Sequence, residues 1–340
     1  MNNEYFSKLR DQNILITGGC GFIGSEVTKQ LSKIGAKVTI LDNLSSGKKE
    51  YVKDFPNVTL VEGNITDEKK LSQVVKDKEF IINMAALPFI PDSYLYPMQF
   101  FDVNVNGTIS LALRAIKAKT VKRFVHISSS EIYGTAQYSP MDENHPTIPH
   151  STYAVSKLAG EMAIYTMNKE HDLHAVIIRP FNSFGPNITQ PYIIPEIINQ
   201  MLSNNDEILL GNVNSKRDFT YVSDTAKAII LSLVKDGIIG GAINVGSERS
   251  FSIKEIVDMI ANILSKKVKL KIDSSRFRPH DVGLLICDYS KARKLLGWKP
   301  EVSIKDGLKM TIEWAKKNGV HLKSPFKGWP STYRENYHNN

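Results

Sequence analysis

Two short stretches of the chain hold side chains of the kind that move protons. In Ser151-Thr152-Tyr153-Ala154-Val155-Ser156-Lys157 a phenol and an ammonium stand four residues apart, which on a helix puts both on one face. A tyrosine has a pKa near 10 in water, so acting as a base near neutrality requires lowering it by about two to three pH units, ~3–4 kcal/mol. A neighbouring positive charge works in that direction. In His126-Ile127-Ser128-Ser129-Ser130-Glu131-Ile132-Tyr133-Gly134 an apolar start gives way to three hydroxyls and a carboxylate. Val125 and Ile127 have the character of a buried strand, and side chains at the carboxyl end of a strand in an open α/β sheet face the ligand crevice. Each stretch also has a plainer reading. Serines cap turns, and Tyr-x-x-x-Lys taken alone describes an ordinary amphipathic surface pair. The elements around them decide.

Ahead of both, Ile14-Leu15-Ile16 reads as a short apolar strand. Thr17-Gly18-Gly19-Cys20-Gly21-Phe22-Ile23-Gly24 follows, then a helical stretch through Ile34 ended by Gly35, and a second strand over 37–41 that ends at Asp42. Strand, glycine turn, helix, strand and acid in this order form a dinucleotide-binding pattern. Gly18 permits the tight turn, Gly21 the close approach of a pyrophosphate and Gly24 the packing of helix on sheet, and the helix N-terminus faces the phosphates. Cys20 sits inside the loop, where a small residue is needed. Asp42 is placed to accept hydrogen bonds from ribose hydroxyls. A 2′-phosphate there would be repelled and no arginine follows immediately, so the pattern selects NAD over NADP; Lys48 and Lys49 are the residues that speak the other way.

The alternation continues. Strands are expected at 58–61, leading to Asn64-Ile65, and at 80–82, leading to Asn83-Met84-Ala85-Ala86. A helix is expected at 104–118, then the strand at 124–127, the Tyr153 helix running towards Asn168, and a strand at 176–178. Repeated β-α units predict an α/β fold built on a Rossmann-type doubly wound parallel sheet. Beyond Arg179 the texture changes: Pro186, Pro191, Pro195 and the polar segment 203–206 mark excursions into a second lobe. Ala242-Ile243-Asn244-Val245 reads as a returning strand, followed by Phe251-Ser252-Ile253 and another amphipathic helix. The expected division is an NAD-binding domain over 1–185 with a return segment near 218–247, and a smaller interleaved substrate lobe over 186–217 and 248–340. The polar, aromatic segment 325–340 reads as a loose arm or a docking segment.

Composition narrows the classes. A chain of 340 residues, 42% hydrophobic and 23% charged, is ordinary for a soluble globular protein. The formal charge of +8 would suit an anionic partner, but the lysines are dispersed with no dense basic run, which argues against nucleic acid. Phosphorylated small molecules, or a generic lysine-bearing surface, account for it. Cys20 and Cys287 are too few for a disulfide framework or a cysteine-based zinc site, and no metal is expected. Met1-Asn2-Asn3-Glu4 lacks the character of a signal peptide, and no apolar run approaches the roughly 20 residues of a membrane span. The expected location is the cytoplasm.

With these motifs in place, the chain resembles the extended short-chain dehydrogenase/reductase family of nucleotide-sugar enzymes over nearly its whole length. The glycine loop, Asp42-Asn43-Leu44, Asn104-Val105-Asn106-Gly107-Thr108 and Tyr153-x-x-x-Lys157 carry the resemblance. So do Arg179-Pro180-Phe181-Asn182, Arg217-Asp218-Phe219-Thr220-Tyr221-Val222, Arg278-Pro279-His280-Asp281 and Leu296-Gly297-Trp298-Lys299-Pro300. It implies an NAD that stays bound and is reused, held by Gly18, Gly21, Phe22, Ile23, Gly24, Asp42, Asn43, Asn64, Ile65, Ala85, Ala86, Tyr153 and Lys157. Tyr153 would take the proton from the sugar 4′-hydroxyl as hydride leaves C4. Lys157 would hold the nicotinamide ribose and depress the tyrosine pKa, and Ser129 would bridge the 4′-oxygen and the tyrosine. Asn182, Arg217 and Arg278 match positions that contact the nucleotide diphosphate, a role suited to guanidinium forks. Asn64 stands where an adenine-contacting Asp is usual and Asn83 where many relatives have His, departures that bear on cofactor binding. A homodimer is implied, the helix after Asn104 packing with the Tyr153 helix, two from each subunit. The stripe Ile109, Leu113, Ile116 fits that face or the sheet.

Members of the family share the first oxidation and diverge at the 4-keto intermediate, whose acidified C5 proton still needs a positioned base. The 4,6-dehydratases carry Thr-Asp-Glu or Thr-Ser-Glu at this strand end, with Glu as the base, whereas simple 4-epimerases usually have small or hydroxyl residues at the Glu position. Glu131 therefore favours a nucleotide-sugar 4,6-dehydratase giving a 4-keto-6-deoxyhexose. Ser130 replaces the Asp that some dehydratases use to protonate the departing hydroxyl, so Glu131 would carry the proton both ways. UDP-glucuronate decarboxylases share the Ser-Glu pair, which leaves decarboxylation and 4-epimerisation as alternatives. The run Ser128-Ser129-Ser130-Glu131-Ile132-Tyr133-Gly134-Thr135-Ala136, with Pro88-Phe89-Ile90-Pro91-Asp92-Ser93-Tyr94, looks most like the dehydratases of legionaminic-acid-type pathways, which act on nucleotide-linked N-acetylglucosamine. A non-catalytic NAD-binding scaffold on the same fold is a further alternative; such a protein could dispense with Tyr153 and Lys157, and this chain keeps both.

Overall fold

The computed structural model describes residues 6–203, 207–278 and 280–320; the segment 325–340, read above as an arm, lies outside them. The first unit is β1 (Asn13–Thr17), α1 (Phe22–Lys33), β2 (Lys37–Asp42) and β3 (Val58–Glu62), followed by α2 (Glu68–Val74) and β4 (Phe80–Asn83). In α1 the buried positions Gly24, Val27, Thr28 and Leu31 recur at helical spacing, and the helix stops at Ile34. There Gly35 takes φ +85°, a left-handed conformation that glycine adopts without strain.

The next helix begins earlier than its apolar stripe suggests. Short helices α3 (Ile90–Leu95) and α4 (Pro97–Phe101) lead through a π turn (Asp102–Gly107) into α5 (Thr108–Ala118). Pro91 and Pro97 sit in first turns, where a missing N–H costs nothing. The π turn has an identifiable grip: the Asn104 amide holds the backbone of Leu87 and the hydroxyl of Ser156. β5 (Arg123–Ile127), α6 (Thr152–His171) and β6 (Ala175–Pro180) complete the first run.

β7 (Asn182–Phe184), α7 (Ile193–Leu202), β8 (Glu207–Leu210) and β9 (Lys216–Tyr221) then leave the main sheet, and α8 (Val222–Val234) and β10 (Ala242–Val245) return to it. β11 (Ser250–Ser252), α9 (Ile253–Leu264), β12 (Lys269–Ile272), α10 (Ser290–Leu296) and α11 (Ile304–Asn318) follow. The main sheet has seven strands in the order β10-β6-β5-β4-β1-β2-β3, all parallel. The Rossmann-type doubly wound sheet read from the sequence is the observed fold. β4 and β5 are buried at every position, as expected for strands covered on both faces. One cover joins α1, α8 and α10; the other joins α2, α5 and α6. A separate apolar cluster gathers α7, α9 and α11 around β8 and β9. In it β9 pairs antiparallel with β11 and parallel with β7, while β8 pairs with β12. Among the described residues no helix is long and apolar enough to cross a membrane.

The stripe on α5 divides. Ile109 and Ile116 pack against the sheet-side cluster, whereas Leu113 is exposed.

Candidate active site

The strand order reverses between β1 and β4, and in open α/β sheets the crevice at the carboxyl ends of the strands opens there. A cavity of about 570 Å³ lies at this edge and runs across to β9. Every residue expected at the site lines it: Gly18, Gly21, Phe22, Ile23, Gly24, Asp42, Asn43, Asn64, Ile65, Ala85 and Ala86 at one end, Ser129, Ser130, Glu131, Tyr153 and Lys157 in the middle, and Asn182, Arg217 and Arg278 beyond.

The glycine loop is shaped by close approaches that side chains would block. Gly18 has φ +73°, and a Cβ there would lie 2.9 Å from the backbone of Ala85 at the end of β4; a Cβ on Gly24 would lie 2.1 Å from the Gly18 carbonyl oxygen. α1 starts at Phe22 with no side-chain cap and no acid in its first turn, so its free N–H groups and positive dipole end suit a phosphate. Asp42 is fixed across the loop, accepting from the backbone N–H of Cys20 at 2.9 Å and of Leu44 at 2.8 Å. Its carboxylate lines the cavity and is an acceptor of the kind that ribose hydroxyls need. Asn64 accepts from the N–H of Thr66 at 3.2 Å, an Asx turn that either Asn or Asp could make. Asn83, which stands where many relatives have His, bridges strands. It is buried behind the cavity, accepting from Thr17 and donating to Thr108 and His126, and so ties β1, β4, β5 and α5 together.

The serines at the end of β5 make a turn and line the cavity. Ser129, in extended conformation, caps the short 3-10 turn Ser130–Tyr133, its hydroxyl accepting from the Glu131 N–H at 3.2 Å. The same residue acts on the Tyr153 phenol, favouring its deprotonated form. Tyr153 and Lys157 project from the first turns of α6, whose start is capped by Ser151, and the Tyr153 ring stands edge-on to Phe100.

The electrostatics of the tyrosine are set by burial before charge. Burial pushes the Tyr153 pKa up to about 12; the Ser129 hydrogen bond opposes that rise and the charge of Glu131 adds to it. Lys157 is the buried partner that was to lower it, but its ammonium donates to the Ile127 carbonyl and is itself brought down to about 8 by burial, with Glu161 opposing. Desolvation penalises both charged forms at once, so the pair alone does not make Tyr153 a base at neutrality. A cation bound beside the phenol would supply the missing stabilisation, and the positively charged ring of an oxidised nicotinamide has the right sign.

Arg217, at the β9 side, is buried and donates to Asp281 at 3.3 Å. Burial lowers its pKa, the charges of Glu131 and then Asp281 oppose this, and Arg278 adds to it. Glu131 thus sits electrically between Tyr153 and Arg217. The buried Oδ1 of Asn182 and Oγ of Ser128 have no hydrogen-bond partner among the described residues, as at a site built to receive a polar ligand. Two residues were given no role in the reading of the sequence. Asp281 orients Arg217 from 64 positions away, a separation that leaves no local signal. Tyr192 lines the cavity with its phenol within electrostatic reach of Tyr153, Arg278 and Asp92; its place between Pro191 and Pro195 marked only a break in texture.

Comparison with known proteins agrees with this geometry. The family model described as GDP-mannose 4,6 dehydratase matches residues 15–311. A putative UDP-glucose 4-epimerase of Methanocaldococcus jannaschii is 35% identical over 311 residues, which cover 90% of this chain and 99% of that protein. A UDP-N-acetyl-alpha-D-glucosaminuronate decarboxylase of Bacillus cytotoxicus is 30% identical over 314 residues, covering 88% and 96%. The crystal structure of DesIV, a dTDP-glucose 4,6-dehydratase from Streptomyces venezuelae with NAD and TYD bound, matches with a TM-score of 0.84 at 27% identity, covering 90% of this chain and 98% of that one. The chain belongs to the GDP-mannose 4,6-dehydratase family, within the extended short-chain dehydrogenase/reductase group of nucleotide-sugar dehydratases and epimerases.

Proposed function

We propose that this enzyme is a nucleotide-sugar 4,6-dehydratase, converting an NDP-hexose, with NDP-N-acetylglucosamine the first to try, into the NDP-4-keto-6-deoxyhexose. The observation that carries this reading is the seat of Glu131, a carboxylate at the strand end whose charge is felt at Tyr153 on one side and Arg217 on the other. A base there stands beside the oxidising tyrosine and towards the diphosphate end, where the C5 proton of a sugar held by both would lie. The cofactor is NAD, and the glycine cradle, the uncapped start of α1 and Asp42 fit it. When bound, NAD would supply the hydride acceptor for the oxidation at C4 and, once reduced, the hydride donor for C6.

The chain's own residues do the rest. Tyr153 takes the 4′-hydroxyl proton, and Ser129, hydrogen-bonded to it, holds the oxygen as it becomes a ketone. Lys157 supplies a positive charge on the same helix face. Glu131 removes the C5 proton, and the C6 hydroxyl leaves as water on receiving a proton. Ser130 is a poor acid, so Glu131 delivers the proton it has just taken; C5 regains a proton from solvent as hydride is added at C6, and Tyr153 loses the 4′-hydroxyl proton to solvent before the next turnover. Arg217, Arg278 and Asn182 hold the nucleotide diphosphate. In this reading residues 1–185 with 218–247 hold NAD, and 186–217 with 248–340 hold the nucleotide.

Epimerisation is the second reading, favoured by the similarity to a putative UDP-glucose 4-epimerase; decarboxylation is the third, favoured by the decarboxylase relative. Mass spectrometry of nucleotide-hexoses and nucleotide-uronates incubated with the enzyme separates them. A product lighter by one water supports dehydration. An isomer of unchanged mass overturns it in favour of epimerisation, and loss of CO2 from a uronate overturns it in favour of decarboxylation. The working unit is a homodimer through the α5 and α6 faces, and the protein works in the cytoplasm.

A further inference from the structure

A buried ion pair stands behind the reacting groups. Glu161 lies one turn beyond Lys157 on α6, and its carboxylate, wholly out of solvent, accepts from Arg179 Nε at 3.1 and 3.2 Å and from Nη2. Arg179 stands on β6. Its Nη1 donates to the Tyr133 hydroxyl at 2.7 Å, which donates onward to Asn244 Oδ1 on β10 at 2.7 Å. Tyr133 is the last residue of the turn that carries Ser130 and Glu131. One guanidinium therefore reaches the helix bearing Tyr153 and Lys157 on one side and the turn bearing Glu131 on the other. Glu161, Arg179 and Tyr133 are not among the residues that line the cavity, so none is placed to touch substrate.

A buried ion pair is a weak source of stability, because desolvation offsets most of the attraction. Its location gives a better reason for it. Residues four apart on a helix share a face, which aims Glu161 along the side that carries Lys157. We propose that Glu161 and Arg179 are positioning residues: Glu161 supplies the counter-charge to Lys157, and Arg179, through Tyr133, holds the turn bearing Glu131 in register with the helix bearing Tyr153. The inference rests on the reading above that Tyr153 and Lys157 carry the oxidation.

The groups that act on Lys157 are the Ile127 carbonyl and His126 from β5 and Glu161 from α6, and Arg179 from β6 shares the Glu161 carboxylate. His126 is kept neutral, by burial first and by the Lys157 charge second. Glu161 is the negative charge that opposes the loss of the Lys157 proton.

The test is single-turnover formation of NADH from enzyme-bound NAD, followed by nicotinamide absorbance from neutral to alkaline pH, with a nucleotide-hexose that the wild type oxidises. Glu161→Gln moves the alkaline limb to lower pH by about one pH unit, since an opposite charge at this range raises a lysine pKa by that order. Arg179→Gln keeps the carboxylate and removes its competitor, so its limb lies above that of Glu161→Gln. Coincident limbs in the two variants overturn the proposal, because lost packing alone moves both the same way. Tyr133→Phe keeps the pair and cuts the link to the turn. It slows product formation about tenfold relative to NADH formation, as a misplaced catalytic group does, with KM for the nucleotide sugar unchanged. Equal slowing of both steps, or of neither, overturns the link. If the wild type forms no NADH with any nucleotide-hexose, the oxidation reading fails instead.

Discussion

Lys157 donates to the backbone carbonyl of Ile127, the last residue of β5. This bond ties α6 to the strand end where the serines begin, so that Tyr153 and Ser129 line one cavity and Ser129 acts on the phenol. Tyr153→Phe keeps the ring against Phe100 and removes only the proton acceptor. Sugar-dependent NADH formation should fall by ~10³-fold, within the usual range for a positioned base, while the NAD content of the purified protein stays the same. Stopped-flow absorbance and cofactor extraction read the two quantities. Wild-type NADH formation in this variant would remove Tyr153 from the role of base.

The pH dependence of the oxidation carries two opposite signs. A base works deprotonated, so the acid limb of NADH formation follows the Tyr153 pKa. Burial raises that pKa, the Ser129 hydrogen bond lowers it and the Glu131 charge raises it. Ser129→Ala should therefore move the acid limb to higher pH, and Glu131→Gln should move it to lower pH. Limbs that shift together in one buffer series would contradict this electrostatic account.

Glu131→Gln also separates the half-reactions. The amide cannot take the C5 proton, so dehydration falls by about 10²–10⁴-fold, while NADH formed from bound NAD remains observable and accumulates. Mass spectrometry of the quenched reaction should show no product lighter by one water. Production of the 6-deoxy sugar at the wild-type rate would exclude Glu131 as the base.

What was legible in the sequence was local. The glycine loop, Asp42, the strand at Val125 and Ile127 and the four-residue spacing of Tyr153 and Lys157 each declare themselves within a few residues, because turn geometry and helical periodicity are short-range. What depends on distant partners was not legible. Arg217 could be read as a phosphate ligand, but not that Asp281 holds it or that Glu131 acts on it from across the cavity. Lys157 could be read as a cation near a phenol, but burial, which weakens both charges, is a property of the folded chain. That Asn83 brackets the strands could not be read locally either, since its partners lie 25 and 43 residues ahead and 66 behind.

Gly24→Ala tests the cradle. The added methyl would lie 2.1 Å from the Gly18 carbonyl oxygen, backbone against backbone, so the loop itself must shift. Overpacking of this kind costs about 1–3 kcal/mol, and the displaced loop loses its fit to the pyrophosphate. The variant should purify with little bound NAD and melt at a lower temperature than the wild type. Full NAD content at an unchanged Tm would mean that the close approach of α1 to the loop is not what the cofactor requires.

The outer face of α5 and α6 tests the proposed dimer. Leu113 on α5 and Val155, Met162 and Tyr165 on α6 are exposed, and Ile109, Leu113, Met162 and Met167 border one shallow hollow between the helices. Isolated exposed apolar residues are ordinary, but a contiguous patch marks an interaction surface. A two-fold axis through it would pack two helices from each subunit, so the same residues meet their own copies. Light scattering should give about twice the chain mass of 38.1 kDa for the wild type. Leu113→Arg with Met162→Arg places like charges on both sides of the axis and should give the mass of one chain. A wild-type mass of one chain, or a double variant that keeps the doubled mass, would place the interface elsewhere or remove it.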